Sequence, residues 1–215
     1  MKKKIILSVI FIIIVLIIIV IGSKLVISKN ICKKLDEFAK QKNTYFVITT
    51  YYYGNNNPSF GVVKTWQDAD NYRALHEITN FSLDSQEATI EYIYLDSEKN
   101  EHYSKKSDGE IVLENSYSRD EIEKEDNTTL NSGIAIGTKE DLSNIFKFSL
   151  SSGVVNGTEC YIIKVDKGKR IIYIDKDTGL PVRQIIESKE KEYNDYRIMD
   201  YYYEFDVVTD SDFIF

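Results

Sequence analysis

Cysteine, proline and histidine are represented by two residues each, and tryptophan by one. Two cysteines, Cys32 and Cys160, are too few for a disulfide framework. A bridge between them would need their Cα atoms within about 7 Å; the simpler reading of Cys160 is a small buried hydrophobe. The two imidazoles, His76 and His102, each have a carboxylate beside them in sequence, Glu77 and Glu101. Metal ligands must converge in space, so these read as structural or surface histidines. The chain has no G-x-S-x-G, no H-E-x-x-H, no phosphate loop and no dinucleotide fingerprint. Asp175, Asp177 and Gly179 faintly suggest a calcium loop, but glycine falls at the fifth place and Ile186 at the twelfth, so a turn is the better reading. No catalytic residue, metal or cofactor is expected, and an enzyme is the least favoured class.

Positive charge is scarce outside the N-terminus. Residues 1–29 carry five lysines and no acid; without them, 22 basic side chains face 34 acidic ones, a net charge of −12. Such a surface repels phosphate backbones and excludes nucleic acid as a partner. Hydrophobic residues make up 43% and aromatics 13% of the 215-residue chain, enough for a packed core in a single domain.

Lys2, Lys3 and Lys4 precede an apolar run from Ile5 to Ile21 broken only by Ser8. Leu25, Val26 and Ile27 extend it past Lys24, whose long stem can snorkel. At 1.5 Å per residue this crosses a hydrocarbon core of about 30 Å. The competing reading is a cleaved secretory signal, but the run exceeds the usual signal core and Val20 and Gly22 make a poor cleavage site. The expected organisation is a short cytoplasmic tail (1–4), a transmembrane anchor (5–27) and an extracytoplasmic domain (28–215) in the cell membrane. Lys2 to Lys4 favour this orientation, although Lys24, Lys29, Lys33 and Lys34 flank the other side.

After the anchor, Ile31, Leu35, Phe38 and Ala39 share one stripe, which predicts a helix over 30–42 with Asn30 as its N-cap. That helix packs on its own domain or lies on the lipid surface. Thr44 to Tyr53 is β-forming throughout and apolar on both faces, so both faces are expected to be covered. Further strands are expected over 59–66, 72–79, 88–95, 101–105 and 110–114, with 54–58 among the turns, as a meander. The polar stretch 118–131 reads as a short exposed helix or loop. Thr138, with Asp141 three residues on, suggests a capping box opening a helix that carries Leu142, Ile145, Phe146 and Leu150 and ends at Ser151-Ser152-Gly153. Three antiparallel strands follow in 157–183: the first joined to the second through a tight turn at Lys167-Gly168, the second to the third through Asp177-Thr178-Gly179, with Pro181 opening the third. Tyr196 to Val208 is the last strand, with Met199, Tyr201, Tyr203 and Phe205 on one face and Asp200, Tyr202, Glu204 and Asp206 on the other.

Within this last region Gly157, Cys160, Tyr161, Tyr173, Asp175, Thr178, Gly179, Leu180, Pro181 and Arg183 form a pattern, G-x-x-C-Y followed by Y-I-D-x-x-T-G-L-P-V-R. It resembles the hairpins of the bacterial lipoprotein-carrier-like superfamily, and Asp210 to Phe213 resembles that family's usual end. The match covers about a quarter of the chain at turn and core positions, which speak to fold more than to activity. The resemblance implies an α+β fold: a strongly curved antiparallel sheet, an incomplete barrel, with helices across its open face. It also implies a cavity for a lipid or acyl group. Tyr161, Ile163, Val165, Met199, Tyr201, Tyr203 and Phe205 would form its apolar wall if the helices leave space, and would be core if they do not. The alternative is an interaction module with a filled core, which holds or regulates another envelope protein and takes no small ligand. A tethered domain cannot shuttle as a carrier does.

Overall fold

The computed structural model describes residues 2–53, 59–82, 88–118, 130–187 and 196–214. They form one long N-terminal helix, an eleven-stranded antiparallel sheet and one further helix. The strands are β1 (Asn43–Tyr53), β2 (Ser59–Asp68), β3 (Arg73–Ser82), β4 (Ala88–Leu95), β5 (Lys99–Lys105), β6 (Ile111–Ser118), β7 (Phe148–Val155), β8 (Thr158–Val165), β9 (Arg170–Asp175), β10 (Pro181–Glu187) and β11 (Tyr196–Phe205). Their order is β6-β5-β4-β3-β2-β1-β11-β10-β9-β8-β7. Two consecutive meanders are therefore zipped together by β1 against β11, and among the described residues β6 and β7 are the edge strands. The sheet is curved and open, as the resemblance implies.

Helix α1 (Lys2–Phe38) is continuous, which corrects the expected start at Asn30. No proline or glycine interrupts residues 23–38, and the carbonyls of the preceding turn receive the amides that an N-cap would otherwise have to satisfy. Its apolar run is solvent-exposed in the isolated chain, whereas Ile31, Leu35 and Phe38 are 2%, 0% and 3% exposed. Helix α2 (Leu130–Leu142) also begins earlier than expected. Thr138 lies inside it, donating its hydroxyl to the Ile134 carbonyl at 2.9 Å, and Ile145 and Phe146 lie in the following turn. Ser151-Ser152-Gly153 belongs to β7 and pairs with β8. The serines hid this strand because one of its faces is solvated and the strand sits at a sheet edge.

Smaller departures have equally local causes. The β8–β9 connection is a 3-10 turn over Asp166–Gly168 rather than a two-residue loop, with φ of 49°, 60° and 93° at its three residues. β11 stops at Phe205 because Asp206 turns with φ 57°, and Asn43 then holds Val208 through both its side-chain atoms, each at 2.8 Å. The far end of β1 is exposed at Tyr51, Tyr52 and Tyr53, so it is not covered on both faces along its whole length. The expected turn at 54–58 and most of the polar stretch 118–131 lie outside the described residues.

The main core lies between the helices and the inner face of β7–β11. It joins Ile31, Leu35 and Phe38 of α1 and Ala135 and Leu142 of α2 to Phe148, Ile163, Val165, Ile172 and Ile174 of the sheet. On the outer face, a C-terminal 3-10 segment (Asp210–Phe213) folds back on β3 and β4. Phe213 meets Tyr94 edge-on, and the Arg73 guanidinium lies 4.2 Å over the Phe213 ring while pairing with Asp68 and Asp210.

Candidate functional site

Strand pairing fixes which side chains share the inner face. Met199 lies opposite Gln184, Gln184 opposite Ile172, and Ile172 opposite Ile163, and directly paired residues project to the same side. All seven expected wall residues therefore face the helices, in two rows on β8 and β11 separated by β9 and β10. Ile163 and Val165 are buried, Tyr161, Met199, Tyr201 and Tyr203 partly so by residue, and Phe205 sits at the rim. The tip of α1 reaches into this space. Phe38 meets Tyr203 edge-on, with ring centroids 5.1 Å apart, and Phe205 at 6.0 Å.

Polar groups that the alternation pattern did not single out run through the same face. Arg170 pairs with Asp141 of α2 at 2.8 Å. The Gln184 amide is oriented by its neighbours: its nitrogen donates to the Tyr201 hydroxyl at 3.0 Å, and its oxygen accepts from Arg170 Nε and a terminal nitrogen at 2.5 and 2.6 Å. Tyr201 stacks parallel to Tyr203 with centroids 6.3 Å apart. Burial pushes the Tyr201 phenol up to about 12 and that of Tyr203 well above 10. Both stay protonated across the physiological range. The Tyr203 hydroxyl is buried and has no hydrogen-bond partner among the described residues. Burial raises the Asp141 carboxyl even though Arg170 opposes the shift. A glutamine at an inward position of β10 was the one sequence signal for this network.

Three contacts fix α1 in place. Lys34 Nζ donates to the Asp177 carbonyl and, at 3.2 Å, to that of Lys176; Lys139 pairs with Asp36; and Lys24 donates to the carbonyls of Ile145 and Phe148 at 3.1 and 2.6 Å. Among the described residues, two grooves lie against the helix. One, of about 360 Å³, lies between α1 and the end of α2 and is lined by Leu25, Ser28, Lys29, Cys32, Leu142 and Ile145, among others. The second, of about 280 Å³, lies beside Tyr161, Lys34 and Gly179. Neither is lined by the β11 row. Both cysteines are free thiols, their pKa raised chiefly by burial. His76 is half-buried, with Nδ1 2.8 Å from Thr65 Oγ1, and is separated from His102 by Ile93 along the same pairing row.

No protein-family model and no curated protein sequence matches the chain. Several solved structures resemble it. LprF from Mycobacterium bovis is 10% identical over 81% of this chain and 91% of its own, with a TM-score of 0.45. A putative outer membrane lipoprotein-sorting protein domain from Vibrio parahaemolyticus is 9% identical over 86% and 94%, TM-score 0.31. A chain of the Pseudomonas aeruginosa MucA/MucB complex is 12% identical over 85% of this chain, which spans 59% of that longer one, with a TM-score of 0.41.

Proposed function

We propose that this chain is a membrane-tethered extracytoplasmic binding module whose partner is another envelope protein and whose inner face is structural core. The observation that carries this reading is the seating of Ile31, Leu35 and Phe38 of α1 against the would-be wall residues Ile163, Val165 and Tyr203. A wall already covered by the protein's own helix offers little room for an acyl chain. The anchor is residues 5–27, entering from a short cytoplasmic tail. The outer edge of β6, unpaired among the described residues and with Ile111 and Leu113 exposed, supports recognition by strand addition.

A second reading keeps the lipid. The unpartnered Tyr203 hydroxyl facing the apolar wall supports it, since a buried donor is costly unless something meets it. A diazirine fatty acid, photolysed with the full chain in proteoliposomes and mapped by mass spectrometry, separates the two. Cross-links confined to the 5–27 segment are expected. Labelling of the 161–165 and 199–205 peptides would overturn the filled-core reading in favour of a lipid-holding one.

A further inference from the structure

We propose that the α2–β7 turn, residues 143–147, is a lipid-docking element that rests on the same membrane surface from which α1 emerges, with Phe146 as its wedge; this depends on the anchor reading above. Lys24 stands three residues past Ile21, the end of the apolar run, about 5 Å further along the helix axis. That is the level at which a snorkelling lysine reaches the head groups. Lys24 donates to the carbonyls of Ile145 and Phe148, so the two residues bracketing Phe146 and Lys147 are tied to the helix at that level. The turn itself is braced. Asn144 accepts the Phe146 amide with its side-chain oxygen at 3.0 Å and the Lys147 amide with its carbonyl at 2.9 Å.

This geometry presents Phe146 outward, 79% exposed, while Phe148 turns into the core. An aromatic side chain so exposed on a braced turn has no stabilising role within the domain, and interfacial aromatics favour the head-group layer. Charge favours the same contact. Residues 30–215 carry a net charge of −12, yet Lys29 and Lys33 line the groove beside this turn together with Asp36, Lys24 reaches the turn itself, and Lys147 lies within it, a local excess of positive charge that suits anionic head groups. Leu25 and Val26 continue the exposed apolar surface on α1. Docking at the turn as well as through α1 fixes how the sheet leans over the bilayer, because a single helix leaves rotation and tilt open.

The test uses the full chain in proteoliposomes containing anionic lipid with brominated acyl chains. In a Trp66→Phe background, which removes the only tryptophan, Phe146→Trp is compared with Leu113→Trp on the distant β6 edge. At least twofold stronger quenching at 146 is expected. Equal or absent quenching at 146, with the protein retained in the vesicles after alkaline washing, overturns the docking element alone. Loss of the protein from the vesicles overturns the anchor and the docking element together. Should the Trp66→Phe background fail to fold, Trp66 stays in place and nitroxide labels on Phe146→Cys and Leu113→Cys, each in a Cys32→Ser, Cys160→Ser background that removes the two native thiols, give the same comparison. Oxygen should then collide with the label at 146 more readily than a water-soluble nickel chelate does, and the reverse order at 146 overturns the proposal.

Discussion

At the scale of single residues, Gly179 has two independent reasons to be glycine. Its φ is 73°, and a Cβ there would fall 2.4 to 3.1 Å from three side-chain carbons of Lys34, the residue that ties α1 to the β9–β10 turn. Gly179→Val should therefore lower stability by roughly 1–3 kcal/mol from backbone strain, with more from displacing Lys34, read as a drop in urea midpoint. An unchanged midpoint would mean that the turn does not hold the helix. Tyr203→Ala removes an aromatic packed on Phe38 and should cost about 3–5 kcal/mol; a loss below about 1 kcal/mol would point to an open site instead. His76 makes a pH prediction. Burial lowers its pKa below 6.5, so the folded state holds it neutral while the unfolded chain protonates it. That contribution is fully present above pH 6.5 and is lost as pH falls through the folded pKa. The urea midpoint should decline on acidification below pH 6.5, and His76→Gln should flatten the decline; an identical slope in the variant would remove His76 as the cause.

Among the elements, α1 matters most, because one helix carries both the apolar N-terminal run and part of the core. Lys29→Pro separates the continuous helix from the two-helix arrangement that the Asn30 cap suggested. Residue 29 is exposed, so the substitution acts through the backbone. In a continuous helix it removes a hydrogen bond and clashes with the preceding turn, at about 3 kcal/mol. Just outside an N-cap it would be tolerated. Thermal unfolding of the purified full chain should show the larger effect. The element level is also where sequence reading failed most clearly. β7 alternates buried Phe148 and half-buried Leu150 with exposed Ser149 and Ser151, but three serines and a glycine mimic a helix terminus unless the β8 partner is known. β11 was legible because its alternation spans ten residues without interruption.

For the whole molecule, the sheet's order follows from two meanders joined by a single long-range pairing, β1 with β11, in which Phe46 lies opposite Tyr203. Once this pair forms, α1 can cross the inner face. No loop intervenes between the apolar run and the core residue Ile31, so under the proposed anchor reading the domain is held rigidly rather than on a flexible leash. The chain should stay with membranes after high-salt and alkaline washing, and protease applied to intact cells stripped of wall should remove the domain. A soluble, shortened protein beginning near Ser23 would mean cleavage; full protection would mean the opposite orientation.

The sequence by itself determined the apolar N-terminal segment, the antiparallel strands and the turn at Gly179, because each is encoded locally: by a run of hydrophobic residues, by period-two alternation, or by a residue that tolerates positive φ. It also determined that Tyr161, Ile163 and Val165 share one face of their strand, and Met199, Tyr201, Tyr203 and Phe205 one face of theirs. Only the tertiary structure decided what stands against them. The stripe Ile31, Leu35 and Phe38 fits a lipid surface, a partner or its own sheet equally well on paper. The choice is made by the curvature of the sheet and by Lys34 and Lys24, which bind carbonyls more than a hundred residues away in sequence. The half-buried chain from Asp141 through Arg170 and Gln184 to Tyr201 was hidden for the same reason: its members come from one helix and three strands, and nothing local in any of them requires the others.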